Sequence, residues 1–174
     1  MSYKSELTAA MTALGVDPLN RFVGYGLARG LAGGTIPKEL APQITETPVA
    51  ENLMTGIAVG QSLAGLLPVV YFERFDFVLN AADCIVNHLA AARAISRGQY
   101  APAAILRCVV GNRTKPLFTG RTHTQNFSAA FRKLVDFPVV VLLDSSQIVS
   151  AYAAARDHQL RGESTMLVEF KDLL

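Results

Sequence analysis

Charged side chains are scarce in this chain. Asp, Glu, Lys and Arg make up 17% of its 174 residues against 51% hydrophobic, and mean hydropathy is +0.29. So apolar a composition leaves two readings, a membrane protein or a protein whose surface a partner covers. Net charge is only +2, and the lack of a basic stripe with interleaved aromatics argues against a nucleic-acid binder. Cysteine is scarcer still. Cys84 and Cys108 lie in apolar runs without metal-ligand spacing, which argues against a zinc site and predicts buried free thiols in a reducing cytoplasm. The segment Met1–Glu6 lacks the apolar core of a signal peptide.

Residues 52–72 carry no charge at all, long enough to suggest a membrane span. Gly65-Leu66-Leu67-Pro68 breaks that run into a helical part and a β-branched part, Val69-Val70-Tyr71-Phe72. Two short buried elements are expected, and no membrane helix.

Residues 3–14 read as an amphipathic helix through Leu7, Met11 and Leu14. Strands are expected at 21–25, 43–45, 68–73, 103–107, 138–143 and 165–170. Helices are expected at 51–64, 76–96, 127–134 and 146–158, the last capped by Asp144 and Ser145. The 76–96 segment reads as one helix apolar on almost every side, which predicts burial at a subunit contact. Gly30, Gly33 and Gly34 mark a loop. Apolar strands alternating with helices mean an α/β fold, three layers α/β/α around a mostly parallel sheet, as a single domain over residues 1–174. Ligands gather beyond the carboxyl ends of such strands, which points to loops 46–51, 72–77 and 108–126.

The first of these loops holds Thr47-Pro48-Val49-Ala50-Glu51, followed by Thr55-Gly56-Ile57-Ala58-Val59-Gly60. A carboxylic acid at the mouth of so dry a helix favours its protonated form and can pass a proton back and forth. With Ala64-Gly65-Leu66, Phe72–Phe77, Asn87, Ser96-Arg97-Gly98, His123-Thr124-Gln125 and Leu167-Val168-Glu169, in order along nearly the whole chain, this frame resembles the pyrimidine-binding domain of transketolase-like thiamine-diphosphate enzymes. The likeness is strongest to the beta subunit of the decarboxylating component of 2-oxo acid dehydrogenases.

That resemblance implies roles for particular residues. Glu51 would share a proton with a ring nitrogen of the cofactor's aminopyrimidine, and Phe77 would stack on that ring. His123 would face the substrate side and orient or protonate the reacting group. Glu73, in place of an uncharged residue common in the family, would line the cofactor pocket, and Val49 would contribute through its backbone. The plainer readings are a helix-start Glu favoured by the dipole, a core Phe and a surface His. His88 reads as a packing or interface residue.

The chain departs from the family in several places. It has no Gly-Asp-Gly with a downstream Asn, so Mg2+ and the diphosphate are expected on an alpha-type partner subunit, two copies of each chain forming the assembly. By the same comparison the family's C-terminal domain is not expected with this chain, which weakens the expectation of membership in a dehydrogenase complex. Cys108-Val109-Val110-Gly111 replaces a Gly-Pro-Asn-Gly-like turn. Arg161 stands where many relatives have an Asp of a monovalent-cation site, so no metal is expected here. Arg113, Lys115 and Arg121 read either as a clamp for an anionic substrate or as a solvated loop. The expected activity is decarboxylation of a 2-oxo acid with transfer of the acyl or two-carbon fragment. Alternatives are ketol transfer between sugar phosphates, a non-catalytic stabilising subunit, and an unrelated flavodoxin-like binding module, which the lack of a phosphate-cradling loop disfavours.

Overall fold

A computed structural model describes residues 2–117 and 120–174. Six parallel strands form one sheet in the order β2-β1-β3-β4-β6-β5. They are β1 (Asn20–Gly24), β2 (Ile44–Glu46), β3 (Leu67–Phe72), β4 (Ile105–Val110), β5 (Val139–Val141) and β6 (Thr165–Phe170). Every residue of β3, β4 and β6 is buried, as parallel strands covered on both faces require. Helices α1 (Tyr3–Gly15) and α6 (Ile148–Leu160) pack against each other on one face, over a core that includes Leu7, Met11, Phe22 and Tyr152. On the other face lies a core of Met54, Phe72, Phe75, Ile85 and Phe131. It is covered by α3 (Glu51–Leu63), the 75–95 segment and α5 (Ser128–Leu134).

The charge-free run divides as its breakers predict. Helix α3 ends at Leu63, Gly65 takes a left-handed φ of +84°, and β3 starts at Leu67. Only glycine adopts that conformation without strain. Among the described residues, no helix is long and apolar enough to cross a membrane.

Two segments differ from expectation. The glycine-marked loop contains short helical turns, α2 (Leu27–Gly34), kinked where Leu31, Ala32 and Gly33 take left-handed backbone angles; at its start the amides of Gly26 and Ala28 donate to the Glu46 carboxylate. A side chain from β2 thus caps it. The 76–96 segment is not one helix. It is a tight 3-10 turn at Phe75–Ala81, a widened π turn at Cys84–Ala90 and a single α turn, α4, at Ala92–Ile95. Val78, Ala81, Ile85 and Leu89 face the core, whereas Asn80, Asp83, Asn87 and His88 are exposed. The polar side chains have their own partners, Asn80 on Glu51 and Asn87 on Asp83, so winding follows those bonds and not a uniform apolar surface.

The chain leaves β1 for β2 at one edge and returns to β3 on the other side of β1. Neighbouring connections therefore diverge at the carboxyl ends of β1 and β3, which opens a crevice there.

Candidate active site

That crevice begins with a contact between the two diverging loops. The Tyr25 hydroxyl, just past β1, donates to Glu73, just past β3, at 3.1 Å. Glu73 also pairs with Arg74 Nη1 at 3.1 Å. Burial pushes the Tyr25 phenol up to about 12, the Glu73 carboxylate adds to this, and the negative charge of Glu51 contributes further. Tyr25, Glu73 and Glu51 therefore share one electrostatic neighbourhood.

Glu51 opens α3 and is 6% exposed. No side chain caps this helix, so its first amides are left without an intrahelical partner at the crevice. Asn80 Nδ2 donates to Glu51 Oε2 at 3.3 Å. Asn80 lies three residues after Phe77 on the 3-10 turn, where such positions eclipse. The carboxylate's partner and the aromatic ring thus come from one side of one turn. In the segment leading to Glu51, the hydroxyl of Thr47 is buried with no hydrogen-bond partner among the described residues.

Phe77 meets His123 edge to face, with ring centroids 5.2 Å apart and planes at 86°. His123 ends a short 3-10 turn, Gly120–His123, and its Nδ1 lies 3.1 Å from Thr122 Oγ1. Two features hold this loop. The carboxylate of Asp76 accepts from the backbone and side-chain amides of Gln125. Behind His123 stands Gly111, where an added Cβ would lie 1.9 Å from the His123 carbonyl oxygen and 3.2 Å from Arg74 Cδ. Glycine is required there by close backbone approach.

The three loops expected to hold chemistry thus converge at the carboxyl end of the sheet. The structure brings together Phe77 and His123, joins Glu51 to the turn that bears Phe77, and ties Glu73 to Tyr25. Val49 stands 69% exposed two residues before Glu51. His88 is exposed beside Asp83 and not packed in the core. Arg113 is a tether: its amide and Nε both bind Asp172, at 2.8 and 3.0 Å, and its guanidinium lies over Phe170. Among the described residues no group of three or more His, Cys, Asp or Glu is arranged to hold a metal ion.

Sequence reasoning missed Asn80, Tyr25 and Asp76. Asn80 carried a signal, a polar side chain one short turn beyond Phe77. Tyr25 and Asp76 gain significance only through long-range pairing. Also missed was a buried ion pair across the sheet, where Arg107 Nε and Nη2 bind Glu169 at 2.6 and 3.0 Å and Tyr152 donates to the same carboxylate. Burial alone would loosen the hold of Arg107 on its proton, but the Glu169 carboxylate outweighs it and raises the guanidinium above its ordinary value.

No family model matches the chain. Among curated proteins, it is similar to pyruvate dehydrogenase E1 component subunit beta of Rickettsia bellii, at 32% identity over 116 residues, 67% of this chain and 34% of that protein. The Saccharomyces cerevisiae mitochondrial subunit is 30% identical over 67% of this chain and 31% of its own. The Oryza sativa beta-2 subunit is 29% identical over 81% of this chain and 38% of its own. The chain spans about a third of the length of these relatives. Among solved structures, a split-gene transketolase in an inactive beta4 tetramer superposes with a TM-score of 0.73 at 14% identity, over 98% of this chain and 52% of that one. Transketolase of Campylobacter jejuni gives 0.71 at 14% identity, over 98% and 26%. Fold and relatives together define a transketolase-like pyrimidine-binding domain. Within that class, the chain is a homologue of pyruvate dehydrogenase E1 beta subunits.

Proposed function

We propose that this chain supplies the aminopyrimidine-binding half of a thiamine-diphosphate-dependent enzyme, and that an alpha-type subunit holds the diphosphate through Mg2+. The observation that carries this reading is Glu51, buried at the crevice with its Oε2 engaged by Asn80. The residues fit that end of the cofactor: a buried acid, a half-buried aromatic ring at Phe77 and the unsatisfied Thr47 hydroxyl. When bound, thiamine diphosphate supplies a sink for the electrons of a cleaved carbon–carbon bond.

The chain's own residues divide the work. Because Asn80 donates to Oε2, Glu51 presents its shared proton to the ring nitrogen from Oε1. Phe77 stacks on the ring and keeps water out, while its edge contact with His123 fixes the imidazole. His123 orients the substrate carbonyl and moves a proton at its oxygen. Glu73, steadied by Tyr25, lines the pocket beside the ring, and the Val49 backbone borders it.

The reaction we assign is decarboxylation of a 2-oxo acid with transfer of the acyl or two-carbon fragment, supported by the pyruvate dehydrogenase E1 beta relatives. A basic cavity beside His123 favours ketol transfer between sugar phosphates as the second reading. Leu53 and Leu63 are about half exposed on α3, and Gly56 and Gly60 have open space around them. These exposed apolar and small residues support a partner face on the helix that carries Glu51. Two copies of each subunit would close the assembly symmetrically. Cys84 and Cys108 are buried free thiols, the state a reducing cytoplasm maintains.

Calorimetry tests the division of labour. The isolated chain should bind thiamine diphosphate weakly whether or not Mg2+ is present, and tightly once reconstituted with a diphosphate-binding subunit. Tight, Mg2+-dependent binding by the isolated chain would overturn the split site.

A further inference from the structure

The loop that carries His123 closes over a cavity of about 70 Å3 bounded by Arg74, Asn112, Lys115, Leu117, His123 and Lys171. Its uncommitted polar groups are donors. Arg74 is buried, and its Nη1 is taken by the Glu73 carbonyl and carboxylate, but no described residue accepts from its Nε or Nη2. Asn112 Oδ1 already accepts from the Thr114 hydroxyl and the Lys115 amide, which leaves its NH2 as the free end. Among the described residues no carboxylate pairs with Lys115 or Lys171, and Asp172, next to Lys171, is occupied by Arg113. Two lysines and the remaining donors of Arg74, whose charge Glu73 partly offsets, thus face one small space and favour an anion there.

We propose that this cavity seats one anionic group, a phosphate or a carboxylate, carried by the substrate apart from its reacting carbonyl. The space is open on one side and small, suited to one such group and not to a whole substrate molecule. The group is not the carboxylate lost in decarboxylation, because cations that hold it in the ground state oppose its departure as neutral CO2. The inference rests on the assignment of His123 to the substrate side. It deepens that assignment by defining a substrate with a carbonyl at His123 and a second, anionic end held beside it.

The test is an NMR titration of the full 174-residue chain with inorganic phosphate and, separately, with acetate, against chloride at matched ionic strength. Saturable shifts at the amides of Asn112, Lys115 and His123 are expected, with affinity reduced roughly tenfold or more in the Lys115→Ala/Lys171→Ala double variant. Tighter phosphate binding identifies a phosphorylated substrate, and tighter acetate binding a dicarboxylic one. Shifts no larger than those with chloride, or equal in the double variant, overturn the proposal. The titration needs neither partner nor cofactor, so its failure leaves the role of Glu51 untouched. Full activity of Glu51→Gln in the assembled enzyme would instead strike that role and leave the titration intact.

Discussion

Asn80 and Glu51 stand 29 positions apart in sequence, yet the amide of one holds the carboxylate of the other at 3.3 Å. The contact ties the first turn of α3 to the turn bearing Phe77, so the acid and the ring are set relative to each other. Asn80→Ala should leave the fold and assembly intact and lower turnover roughly tenfold, the order expected when a charge-assisted bond is lost. Asn80→Asp should be worse, since two facing carboxylates repel. Steady-state kinetics with sedimentation as the assembly control checks both.

Gly111 is held to glycine by the His123 carbonyl, 1.9 Å from where a Cβ would stand. Gly111→Ala must push the His123 loop outward. Overpacking of this kind costs about 1–3 kcal/mol, and an ångström of misplacement in a catalytic group lowers turnover roughly 100-fold. Urea unfolding and kcat measure the two effects separately. A variant with native stability and turnover would mean that the loop does not rest against Gly111.

Arg107 and Glu169 should matter for folding and not directly for chemistry. Glu169→Gln leaves a buried guanidinium without its counter-charge, and removing one partner of such a pair costs about 3–5 kcal/mol. Equilibrium denaturation reads the loss. A change below 1 kcal/mol would contradict the buried pair.

The tyrosines predict an alkaline limb of stability. Burial raises Tyr25 and Tyr71 from 10.0 to about 12, with the Glu73 carboxylate adding to the rise at Tyr25 and Arg107 opposing it at Tyr71. Between those values the native state holds protons that the unfolded chain releases, so stability is complete below pH 10 and falls as pH rises toward 12. Denaturation curves across that window should show the decline, and Tyr25→Phe should lessen it. Constant stability to pH 12 would contradict it.

Local signals explain most of the sequence's legibility. The helix expected at 51–64 is Glu51–Leu63 because Pro48 and Gly65 bound it chemically. The closing strand appears at Thr165–Phe170 as its continuous apolar pattern requires. Failures occurred where distant partners overrule local pattern. Arg107 looked like the exit of a strand at 103–107, yet the strand runs on to Val110 because Glu169 neutralises that charge inside the sheet. The helix expected over 76–96 breaks into three turns while Asp76 holds Gln125 and Asn80 holds Glu51. Glu51, Phe77 and His123 were visible as members of a resembling motif. The residues that position them were not, because hydrogen bonds between loops leave no periodicity.

The most direct test of the central claim is the turnover of Glu51→Gln in enzyme reconstituted with its diphosphate-binding partner. Gln keeps the shape and the Asn80 contact but cannot give or take the shared proton. Assembly should survive while turnover falls by at least about 100-fold, the usual share of a positioned acid–base group. Wild-type turnover in that variant would contradict the role of Glu51 and, with it, the account of this site.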